Sequence, residues 1–186
     1  ASARVASKPQ PVTLTPQQLA SRAGLYRHFR RPTRLEITVN EGGLRVGNGD
    51  YLPVSAERFH SINGDRRLEF IPGPAARARI RDINAGGDTV YWEPVEPFKV
   101  DANKLNEFVG SYYSPDVETT FRVTVENGSL VLHRRPNTRV VLTPVYTDAF
   151  SGGQLGQIRF FRDSSGRVTE LSFGEARVYD LRASKQ

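Results

Sequence analysis

The sequence predicts an all-β protein: two tandem small antiparallel up-and-down barrels of about eight strands each, every barrel preceded by a short helix. Three observations predict it. The strand–turn–strand unit ITVNEGGLRV, beginning at Ile37, returns as VTVENGSLVL at Val123, an offset of 86 positions. Around both units, apolar and polar residues alternate with the two-residue period of a half-buried strand. The links between successive strand candidates are short and carry no helix, so neighbours run antiparallel, and closing the sheet removes its two unpaired edges.

The same offset, without a gap, pairs Leu19 with Leu105, Gly24 with Gly110 and Tyr26 with Tyr112, then Leu35 with Phe121 and Leu44 with Leu130. Further on the register slips by a few residues. LPVSAERF (52–59) then answers TPVYTDAF (143–150), RRLEFI (66–71) answers GQIRFF (156–161), and TVYWEP (89–94) echoes ARVYDL (176–181). A match of this length, kept in order, signals duplication of a small domain. Residues 93–105 carry Pro94 and Pro97 and interrupt the apolar pattern. The expected organisation is a linker over 1–14, one barrel over 15–97 and a second over 98–186.

Each copy opens on a predicted helix. In TPQQLASRAG, Thr15 is the cap, Pro16 the first helical residue and Gly24 the stop. In DANKLNEFVG, Asp101 is the cap, Leu105, Phe108 and Val109 share a face, and Gly110 is the stop. Strands follow. In TTFRVTVE, Phe121, Val123 and Val125 alternate with Thr120, Arg122 and Thr124, and Asn127-Gly128 supplies the positive φ angles of a tight hairpin. SLVLHRR, TRVVLTPV, DAFSG, GQIRFFR, RVTELSFG and ARVYDLR continue the series, with a turn at Asp163-Ser164-Ser165-Gly166. Phe121, Phe160 and Phe173 fall at alternating strand positions and are expected in the core.

Composition narrows the function classes. With no Cys among the 186 residues, disulfides, thiolate metal sites and cysteine catalysis are excluded. No apolar run approaches the ~20 residues of a bilayer span, so no membrane insertion is expected. The net charge of +6 is spread: residues 17–98 hold 12 basic and 10 acidic side chains, residues 101–186 hold 11 and 10. Arg4, Lys8 and Lys99, in the expected linkers, supply the rest. Such mixing reads as a solvated surface, and no nucleic-acid partner is expected. The chain does not open on Met, and its Ser-, Pro- and Gln-rich start reads as a linker from something upstream, so a fragment is expected.

No catalytic constellation emerges, and no catalytic, cofactor-binding or metal-ligating residue is assigned. No Ser is followed three positions later by Lys, and there is no Gly-x-Ser-x-Gly elbow. His28, His60 and His133 lack metal spacing or an acidic partner at motif distance, and His28 and His133 are expected to be solvated at strand ends or loops. Glu118, Glu126 and Asp148 fall in different hairpins, and Glu170 and Glu175 flank one strand; surface acids are the expected role. Two arginine groups stand out. YRHFRRPTR places Arg27, Arg30, Arg31 and Arg34 in the link between the first two strands, where the second copy has Asp116 and Glu118. That link reads as a solvated loop, an anion-binding lip or a dock between barrels. Arg77, Arg79 and Arg81 alternate along one strand and are expected on its wet face, with Ala78 and Ile80 inward.

The second copy also carries a family likeness. Leu105-x-x-Phe108-x-Gly110-x-Tyr112, Glu126-Asn127-Gly128-x-Leu130 and Phe160-x-Arg162-Asp163 followed by Gly166-x-Val168 resemble the lipocalin-like accessory domain attached to many bacterial serine hydrolases of the penicillin-binding protein and class C β-lactamase-related group. The likeness covers the second copy nearly end to end, and the first through its weaker echo. In that family the catalytic Ser-x-x-Lys belongs to a separate hydrolase domain. The resemblance therefore implies a non-catalytic region that shapes or shields a hydrolase active site or assists oligomerisation. Its implied partner is an upstream hydrolase domain of the same polypeptide. The alternative is a stand-alone tandem barrel that binds a small apolar or anionic ligand. The compartment stays open, with an extracytoplasmic (periplasmic or secreted) location among the options.

Overall fold

A computed structural model describes residues 10–73, 77–98, 101, 103–134, 136–175 and 178–186. The expected linker over 1–14 lies outside the described residues as far as residue 9, as do Lys99 and the start of the echo at 176. The chain forms two compact units, one comprising residues up to Phe29 with Arg34–Pro94, the other Arg30–Thr33 with Val95–Gln186. Each unit contains a closed antiparallel barrel of eight strands, joined in chain order.

The first barrel consists of β1 (Gly24–His28), β2 (Arg34–Asn40), β3 (Gly43–Val46), β4 (Gly49–Pro53), β5 (Arg58–Ser61), β6 (Arg67–Ile71), β7 (Arg79–Ile83) and β8 (Thr89–Val95). The second consists of β9 (Gly110–Ser114), β10 (Thr119–Glu126), β11 (Ser129–Arg134), β12 (Thr138–Tyr146), β13 (Ala149–Ser151), β14 (Gln157–Arg162), β15 (Val168–Glu175) and β16 (Val178–Lys185). The repeat is visible in the register. Pro53 lies opposite Phe59 in β4–β5, and Pro144 opposite Phe150 in β12–β13.

The alternation works as expected. In β10, Phe121 and Val123 are buried, while Thr120 and Arg122 are exposed. The Asn127-Gly128 turn has φ of 50° and 75°, the paired positive angles that suit a right-twisted hairpin. Its counterpart Glu41-Gly42 has a positive angle only at Gly42 (73°), so the two copies close the same hairpin with different turns. Asp163 holds its turn through Oδ1, which accepts from the Ser165 and Arg167 amides.

Both interiors are filled with side chains. Tyr26, Ile37, Leu44, Tyr51, Phe59, Leu68, Phe70 and Ile80 pack the first, with Phe59 and Phe70 meeting edge to face at 5.5 Å. In the second, Phe108, Tyr112, Phe150 and Phe160 form a continuous ring cluster, and Phe121 packs on Phe173 at 4.5 Å. Each such side chain contributes roughly 2–3 kcal/mol through the apolar area it removes from water.

The elements before the barrels differ from expectation in part. Before the first, α1 (Pro16–Ala20) carries the expected cap: Thr15 accepts from the Gln18 amide, and Gln18 closes a capping box. Before the second there is only a 3-10 turn, Leu105–Phe108. Asp101 is not its cap: its carboxylate accepts from Asn103 instead, and Lys104 precedes the turn without a side-chain cap. Val109 is already extended and does not share the buried face of Leu105 and Phe108.

Gly24 and Gly110 do not stop the helices; each is the first residue of a strand. Their role is to make room. A Cβ on Gly24 would collide with the Arg77 guanidinium, and one on Gly110 with the Lys185 chain. Those cations lie over the rings of Tyr26 (5.0 Å) and Tyr112 (5.7 Å). Each tyrosine hydroxyl in turn donates to a carbonyl four residues earlier, Arg22 O at 2.8 Å and Phe108 O at 2.7 Å. The duplicated Gly-x-Tyr is thus one device used twice: a glycine admits a cation over a buried phenol that anchors the preceding turn. Arg77 therefore leaves the expected wet face and also donates to Ala23 O. Arg79, over Tyr91, and Arg81, paired with Glu69, stay on the outside. Gly24→Ala is expected to cost about 1–2 kcal/mol, because φ of 128° disfavours a side chain and Arg77 must leave its seat. A shifted urea midpoint at unchanged m-value checks it.

Candidate functional site

Because the interiors are filled, the surface carries the site. The hairpin register around Asn127-Gly128 places Arg122 opposite His133, and His133 in turn lies opposite Arg139 across β11–β12. One basic residue per strand thus crosses the outer face of β10, β11 and β12, with neighbouring strands roughly 4.8 Å apart. The guanidiniums of Arg122 and Arg139 flank His133 in this row, and Glu126 offsets their charge. Its Oε2 accepts from Arg139 Nε (3.1 Å) and Nη2 (2.7 Å). Its Oε1 lies 2.8 Å from His133 Nε2 and accepts from Thr124 Oγ1 at 3.0 Å. These donors, Arg139 foremost, hold the Glu126 carboxyl down to about 2, so it remains ionised at neutral pH. Since a carboxylate only accepts, Nε2 is the protonated nitrogen of His133.

Beside this row lies a half-open groove of about 820 Å³, lined by Arg122, His133, Arg134 and Arg139 together with Thr and Asn side chains of the β9–β10 and β11–β12 ends. Glu118 is the carboxylate on its wall, held at φ 46° where the chain enters β10. The side chains of Arg122 and Arg134 have no hydrogen bond, ion pair or ring contact among the described residues, whereas Arg45, Arg66, Arg162 and Arg182 each hold a carboxylate. A groove of similar volume, about 830 Å³, on the first barrel is lined by Leu52, Val54 and Ile62, with one Arg67 and one Asp65.

The arginines singled out by sequence do not form one loop cluster. Arg27 belongs to β1 and pairs with Glu93; Arg34 begins β2 directly opposite it. Only Arg30 and Arg31 lie between the strands, and both are exposed and engaged by other groups. In the second copy, Asp116 and Glu118 occupy the corresponding turn and are exposed.

His28 is not solvated: it is 8% exposed, stacked on Phe29 at 5.2 Å and met edge-on by Trp92 at 5.3 Å. His133 has an acidic partner after all, seven residues away across the hairpin. The remaining acids serve arginines. Asp148 and Glu107 both accept from Arg162, and Glu170 accepts from Arg182. The Glu175 side chain lies outside the described residues. Among the described residues no His, Asp or Glu group is arranged to hold a metal ion, and no helix is long and apolar enough to cross a membrane.

No family model matches the chain, and a search of curated proteins finds no match.

One buried acid escaped the sequence reading. Asp82, 4% exposed in β7, accepts from Arg66 Nε (2.8 Å) and Trp92 Nε1 (3.0 Å). The hydrogen bond that Arg66 donates to it raises the guanidinium pKa further, so Arg66 stays charged. Asp82 ties β7 to β8 and to the residue before β6.

Proposed function

We propose that this chain is a non-catalytic accessory region of a serine hydrolase related to class C β-lactamases, acting through the outer faces of its two barrels. The carrying observation is that both barrel interiors are filled with interlocking aromatic and aliphatic side chains, which leaves recognition to the surface. The Leu-x-x-Phe-x-Gly-x-Tyr likeness of the second copy supports the hydrolase context. Its residues anchor the turn before β9 here: Leu105 and Phe108 are in the core, and Tyr112 bonds back to Phe108.

The test starts from the parent reading frame. It is expected to encode an upstream domain with Ser-x-x-Lys. The intact protein is then expected to hydrolyse an ester or β-lactam, residues 1–186 alone to show no turnover, and deletion of 15–186 to change KM or assembly. A reading frame without a hydrolase domain, or turnover by the isolated region, overturns the proposal.

A second reading, a stand-alone binding module, is favoured by the basic groove of the second barrel in its anionic form. The filled interiors speak against its apolar form.

A further inference from the structure

We infer that the groove beside β10–β12 is a binding site for a small ligand carrying two or more oxyanionic groups, phosphate or carboxylate. The inference stands whether or not a hydrolase domain adjoins the chain.

Charge and placement carry it. Three guanidiniums and one imidazole meet in a single concavity whose wall contains one carboxylate, Glu118. Elsewhere among the described residues carboxylates take up several guanidiniums, Asp50 on Arg45 and Asp163 on Arg167 among them, and of Arg34, Arg58 and Arg67, which also lack a side-chain partner, only Arg67 lines a described groove. Inside the groove, Arg122 and Arg134 are left without a partner among the described residues. A guanidinium fork matches a phosphate or carboxylate in two parallel hydrogen bonds, which is the geometry an unpartnered arginine offers. A concave, protein-walled site also focuses the positive potential and concentrates anions within it.

Part of the site is preorganised. Glu126 ties down Arg139 through Nε and Nη2 and leaves its Nη1 without a bond, while the same carboxylate fixes the proton of His133 on Nε2. Arg139 can therefore meet a ligand with little further loss of side-chain freedom. Thr120 and Thr138 add hydroxyl donors on the groove wall, and Asn137 an amide. Glu118 repels an anion from its own side, so the ligand's charged groups are directed toward Arg122 and Arg134. Two unpartnered guanidiniums, Arg122 and Arg134, call for two anionic groups, and a groove of about 820 Å³ leaves room for a ligand that carries both.

The experiment is calorimetric titration of residues 1–186 with pyrophosphate and, separately, with citrate, at about 0.15 M salt so that diffuse attraction is screened. Saturable binding of either probe is expected, and the tighter one identifies the oxyanion class. The double substitution Arg122→Ala/Arg134→Ala is expected to weaken that binding at least about tenfold with an unchanged melting curve, since both side chains are exposed and unpartnered. Arg67→Ala, which removes an exposed arginine from the first barrel's groove, is expected to leave it unchanged. Absence of saturable binding by both probes overturns the inference. So does equal weakening by Arg67→Ala, which would make the attraction non-specific.

Discussion

Phe160→Ala is expected to destabilise the second barrel by about 3–5 kcal/mol. Phe160 is 1% exposed and sits at the centre of the ring cluster, 4.9 Å from Phe108, 5.7 Å from Phe150 and 5.8 Å from Tyr112. Truncation removes its apolar area from the core and leaves a cavity. The surrounding rings cannot collapse into it: Tyr112 is tethered to Phe108 O, Phe108 belongs to the turn that Tyr112 anchors, and Phe150 sits on a short three-residue strand. Urea unfolding followed by far-ultraviolet circular dichroism checks it. Phe160→Leu is expected to cost roughly half as much, because most of the volume is kept. A cost below about 1 kcal/mol for Phe160→Ala would mean that the second interior is loosely packed, and the surface-only reading of function would lose its basis.

Arg66→Ala is expected to cost about 2–3 kcal/mol. It strands the Asp82 carboxylate, whose side chain is 5% exposed, with Trp92 Nε1 as its remaining partner. The figure lies below that for a fully buried pair because Arg66 is itself 41% exposed and solvent screens it. Arg45→Ala is the natural comparison. Its partner Asp50 is 33% exposed, so water replaces the lost contact and the cost is expected to be much smaller. The readout is built in: Trp92, the chain's one tryptophan, bonds the same carboxylate, so its fluorescence reports the site as the barrel unfolds. Equal costs for the two substitutions would show that water reaches Asp82.

Both effects depend on residues whose neighbours come from distant parts of the chain, and there sequence reasoning reaches its limit. Asp82 lies in the same strand as Arg79 and Arg81, and nothing within a few positions marks it as buried. Its partners are 16 and 10 residues away, brought together by barrel closure. The opposite holds for His133. Counting outward from Asn127-Gly128 pairs Glu126 with Ser129 and Arg122 with His133, so part of the basic row was available from the turn alone. Metal and catalytic spacings counted along the chain do not reveal it, because strands assemble residues across the chain.

The glycines make the same point. Gly24 and Gly110 were visible as a repeated pair, and a helix stop was the natural local explanation. The true requirement comes from Arg77 and Lys185, 53 and 75 residues further on, which occupy the space a side chain would need. Repetition showed that the position mattered; only packing showed why.

By itself, then, the sequence determined the strands, their order, the hairpin turns and the duplication. Each of these rests on alternation and backbone preference, which act between residues close in the chain. The tertiary structure decided which arginines stay unpartnered and where they gather. That outcome depends on the distance from each guanidinium to the nearest carboxylate, and barrel closure sets that distance. Arg27 finds Glu93 where β8 returns beside β1, while Arg122 and Arg134 find only a groove.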